Sequence, residues 1–95
     1  MSGVIAAVTE RAAERAKGLG AEHALERLRQ ELEQVPRLGV LLGLPGHDGT
    51  EVRKTRIEPH GSVPGLAVAY VYTPAPPPPT VAIVSLTPDD GVASE

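Results

Sequence analysis

LAVAYVYTPAPPPPTVAIVSLT, residues 66–87, places two apolar runs on either side of a proline-rich stretch, and its reading decides the fold. Residues 66–73 and 80–87 are rich in Val, Ile, Tyr and Thr, the residues that suit a pleated surface. Both runs are apolar at odd and even positions, the mark of strands buried well inside a sheet. Prolines cannot donate to a strand ladder, so pairing must stop at residues 74–79. A proline run of this kind can also serve as a linker or as a polyproline ligand for an aromatic groove. Too little chain follows to make a second domain, so the run reads as a stiff hairpin loop.

Outward from this hairpin, residues 51–58 (EVRKTRIE) form a third strand candidate, polar and charged. Before it, PRLGVLLGLPGHDGT, residues 36–50, reads as a glycine-rich connection with Leu38, Val40, Leu41, Leu42 and Leu44 tucked under the helices. The clearest helix carries Ala21, Leu25, Leu28, Leu32 and Val35 at helical spacing, and Pro36 ends it. Its outer side offers Arg27–Glu31 and Arg29–Glu33 as i,i+4 pairs. An earlier helix takes Thr9 as its N-cap and runs a narrow stripe through Val8, Ala12, Ala16 and Leu19 until Gly18 and Gly20 stop it. Residues 4–8 (VIAAV) are a brief strand or the lead-in to that helix. The expected fold class is α+β in the order (β)ααβββ. A helical hairpin packs on one face of a three- to four-stranded antiparallel sheet, within a single domain. Residues 88–95 are read as a disordered tail.

Composition narrows the function classes. The chain has 95 residues, no Phe, no Trp and two tyrosines, which disfavours binding by base–aromatic stacking. With no cysteine, disulfides and thiolate metal sites are excluded, and a reducing compartment fits. The three histidines lack ligand spacing, so neither a metal site nor any other cofactor is expected. No apolar run approaches the ~20 residues of a membrane span, and the first residues lack the basic start of a signal peptide. Cytoplasm is the expected location. A net charge of −3 argues against general affinity for nucleic acid, though Arg53, Lys54 and Arg56 concentrate positive charge on one segment.

The order of elements, with "ELEQVPRLGVLLG", "EVRKTRIEP", "PGLAVAYVY" and "TVAIVSL", resembles the RelE/ParE superfamily of toxins from toxin–antitoxin modules. In that family the second helix commonly ends in a Pro-Arg-x-Gly-like turn, here Pro36-Arg37-Leu38-Gly39, and a basic strand precedes one reading like "yRvvY", here Leu66–Tyr70. RelE-like members cut messenger RNA on the ribosome. ParE-like members share the fold and act on a topoisomerase, and both kinds are neutralised by an antitoxin that wraps them. The resemblance thus implies a toxin, a cognate antitoxin as partner, and for a RelE-like member mRNA as substrate; a homodimer is allowed. Where the nuclease pattern has an arginine, this chain has Ala67, and Ser85, Thr87, Asp89 and Asp90 replace the usual basic or aromatic residues near the last strand's end. The alternative is a non-catalytic relative acting as a protein-binding module.

Metal-independent RNA cleavage needs a base for the ribose 2′-OH, cations for the phosphorane and an acid for the leaving oxygen. Arg53, Lys54 and Arg56 are the candidates for phosphate contact, with Arg53 and Arg56 also placed in the catalytic set. On a strand Lys54 and Arg56 share one face and Arg53 takes the other. The competing reading makes all three guards of an exposed edge strand. His60, with Glu58 beside it, is the candidate base, in a Pro59-His60-Gly61-Ser62 turn; His47 lies in a similar turn and His23 on the second helix's polar side. The resemblance gives Tyr70 a place at the substrate-facing surface. The alternative has Tyr70 and Tyr72 filling a core otherwise made of aliphatic side chains.

Overall fold

A computed structural model describes residues 3–88. Strand β1 (Ile5–Val8) leads directly into α1 (Glu10–Leu19), followed by α2 (Glu22–Gln34). Four strands complete the chain: β2 (Val40–Leu42), β3 (Glu51–Ile57), β4 (Leu66–Thr73) and β5 (Thr80–Pro88). They form one sheet in the order β1-β5-β4-β3-β2. The expected α+β class with a helical hairpin therefore stands, but the sheet is five-stranded and mixed, not a three- to four-stranded antiparallel one. Its β1–β5 pair is parallel. Residue 88 closes β5, and residues 89–95 of the expected tail lie outside the described residues.

The helices form where capping chemistry dictates. Thr9 stays extended, and its hydroxyl accepts from the Ala12 amide at 3.2 Å. Gly20, with φ of 67°, turns the chain into the left-handed conformation, while the Ala21 amide reaches back to the Ala16 carbonyl. Gly18 stays inside α1, so the stop falls to Gly20 alone. On α2, Leu25, Leu28 and Leu32 are buried as their spacing predicts, whereas Val35 falls beyond the last turn and is half exposed. Arg29 pairs with Glu33 at 2.8 Å as expected and also with Glu26 at 2.8 Å; the Arg27–Glu31 pair is not formed.

Both helices cover one face of the sheet. Leu66, Val68, Tyr70 and Tyr72 of β4 point into that layer, and Val81, Ile83 and Leu86 of β5 join them. The uneven spacing on β5 follows from a bulge: Tyr70 pairs with Ile83 and Ala69 with Ser85, which leaves Val84 as the extra residue. This is why the run appears apolar on both parities.

The expectation that residues 38–44 tuck under the helices is corrected. The face they would occupy is already filled by Leu25, Leu28 and Leu32. After Pro36 the chain turns, with the Leu38 amide donating to the Val35 carbonyl, and then runs antiparallel to β3 as an edge strand. Val40 and Leu44 are exposed at 71% and 92%.

Candidate functional site

Strand β3 divides its cations as alternation requires. Arg53 pairs across from buried Tyr70 and faces the helical layer, whereas Lys54 and Arg56 sit opposite Ala69 and Ala67 on the other face. The three therefore do not converge on one ligand.

Arg53 is occupied within the fold. Its side chain is only 13% exposed, its Nε donates to Glu51 at 2.7 Å, and its NH1 donates to the Gly39 carbonyl at 2.6 Å. Among the described residues Glu51 is the one buried charged residue, and Arg37 supplies its second cation at 3.2 Å. Hydrogen bonds from Arg37 and then Arg53 hold the Glu51 carboxyl below its ordinary value of 4.5. The Arg37 guanidinium also lies 5.1 Å over the Tyr72 ring. Tyr70 is fully buried, its hydroxyl donating to the Pro36 carbonyl and accepting from the Gly39 amide, both at 2.9 Å. Burial pushes the Tyr70 phenol up. Together these groups pin the Pro36–Gly39 turn to the sheet. The core reading of the tyrosines accounts for this geometry, with Tyr70 away from any surface a substrate could touch.

Arg56 and His60 border a separate feature. A groove of about 610 Å³ runs between α2 and the segment from β3 into the β3–β4 loop. Its base is apolar, made by Ala24, Leu28, Ile57 and Val63. His23, Arg27 and Glu31 rise on the helical side, four residues apart and so on one face of α2. Arg56, Glu58 and His60 line the strand side. His60 is positioned by a turn in which its amide donates to the Val63 carbonyl at 3.0 Å and its carbonyl accepts from the Val63 amide at 2.9 Å. Arg56 lies 3.6 Å from Glu58, a loose exposed pair. The groove is thus bordered by two histidines and Arg27, while Arg56 lines it from a strand position whose alternation turns the side chain toward the sheet's other face.

The sequence puts His23 on the surface and Arg27 in an ion pair with Glu31. Their shared helical face was visible, but the strand it would meet was not. Lys54 and His47 do not line this groove. Among the described residues, no group of three His, Cys, Asp or Glu is placed to hold a metal ion, and no helix is long and apolar enough to cross a membrane. No family model, curated protein or solved structure matches the chain.

Proposed function

We propose that the chain is a RelE/ParE-like toxin of a toxin–antitoxin module, working in the cytoplasm, with the α2–β3 groove as its RNA-facing surface and a cognate antitoxin as its partner. The observation that carries this reading is that His23, Arg27 and His60 line one groove, with Arg56 at its strand edge. In metal-independent cleavage the ribose 2′-oxygen attacks phosphorus, one base takes its proton, and an acid protonates the departing 5′-oxygen. The O2′–P bond forms as the P–O5′ bond breaks, leaving a 2′,3′-cyclic phosphate and a 5′-hydroxyl. Two imidazoles supply the base and the acid, and Arg27 stabilises the phosphorane charge, with Arg56 adding positive potential from the strand edge. Lys54, on the open face, contributes only to long-range attraction of the strand.

The second reading, a protein-binding module without catalysis, is favoured by the commitment of Arg53 and Tyr70 to the fold. The test must therefore avoid Arg53. Purified protein is incubated with single-stranded RNA in the presence of a chelator, and products are assayed for cyclic phosphate ends. Wild type should cleave, and His60→Ala should lower the rate by about 10²–10⁴-fold. Expression in a bacterial host should arrest growth in step with that activity. Growth arrest without RNA cleavage would instead support a topoisomerase-directed or purely binding role.

A further inference from the structure

The sheet has two edges, and the fold treats them differently. At β1 the carbonyl of Ala6 accepts from the Arg29 side chain at 3.0 Å, and Arg29 is itself held by Glu26 and Glu33. A charged group therefore occupies that edge, one of the ways proteins block unwanted strand pairing. At β2 the charged contact stops short of the strand: Arg53 holds the Gly39 carbonyl, and among the described residues no charged side chain bonds the backbone of Val40–Leu42. Residues 38–46 carry no charge, and Leu38, Val40, Leu42 and Leu44 are exposed along them, with Val52 of the neighbouring strand.

We propose that β2 is a dimerisation edge on which a second copy of this chain adds its own β2 antiparallel, making one continuous ten-stranded sheet from the two five-stranded halves. The neutrality of the segment selects this occupant. A two-fold axis through Leu41 sets Val40–Leu42 against itself, and a strand without charge meets its copy with no like charges opposed. An acidic or basic partner strand would find no counter-charge on it. The guarded β1 edge stops further addition, so the assembly closes at two copies and does not grow as a fibre.

Sedimentation equilibrium of the full chain over a wide concentration range tests this. Wild type should dimerise, and Val40→Lys and Val40→Glu should each weaken association at least about tenfold while keeping wild-type circular dichroism and melting. An equimolar mixture of the two variants should recover dimer, because opposite charges then meet across the axis. Ile5→Lys, at the other edge, should leave association unchanged. A wild type that stays monomeric overturns the proposal. So does a dimer that survives Val40→Lys in folded protein, or a mixture that fails to recover.

Discussion

Glu51 shows how far a single residue can redirect the chemistry of its neighbours. Three cations lie within four positions of β3, but a carboxylate two residues before Arg53 shares its side of the strand and claims it. Arg53→Ala should cost about 1–3 kcal/mol in urea unfolding, since a buried carboxylate and the Gly39 carbonyl both lose a donor. Arg56→Ala, at an exposed position, should stay within about 0.5 kcal/mol. The same carboxylate sets an acid dependence. Its folded pKa is depressed, so the stability it contributes is present above the unfolded value of about 4.5 and is lost as pH falls through the folded value. Thermal melts of wild type and Glu51→Gln should therefore differ most near neutrality and converge in acid. Alternation of side chains along β3 was legible from the sequence. The reach of Arg37, fourteen residues away from Glu51, was not, because it depends on a turn that only tertiary contacts hold in place.

At the scale of elements, Gly39 decides whether β2 exists. A Cβ at this position would overlap the Lys54 carbonyl, so only glycine lets the chain approach β3 closely enough to pair. Gly39→Ala should push β2 off the sheet at a cost of about 1–3 kcal/mol. Hydrogen exchange would then show lost protection at Val40–Leu42, with α2 amides unchanged. The helices were readable because Leu25, Leu28 and Leu32 repeat with a period no strand shares. The hairpin of β4 and β5 was readable because the proline run forces the ladder to stop. Strand β2 escaped notice for a physical reason: three residues between glycines show neither alternation nor length. The groove was half legible, since His60 and Arg56 stood out as chemistry while His23 and Arg27 looked like ordinary solvated helix.

For the whole molecule, the mixed sheet matters more than the count of strands. The hairpin, the polar β3 and the two helices could all be read locally, but the β1–β5 pairing joins residues some 75 positions apart and has no local signature. Strand β5 is paired on both sides, with β1 and β4, and it supplies Val81, Ile83 and Leu86 to the core. It also comes last among the described elements. Synthesis from the N-terminus therefore delivers the keystone last: until β5 leaves the ribosome, β1 has no strand beside it and α1 has no floor. The nascent chain cannot lock in its early elements one by one, and folding waits for the whole domain. During that interval both apolar helix faces are available to chaperones or to any partner made alongside.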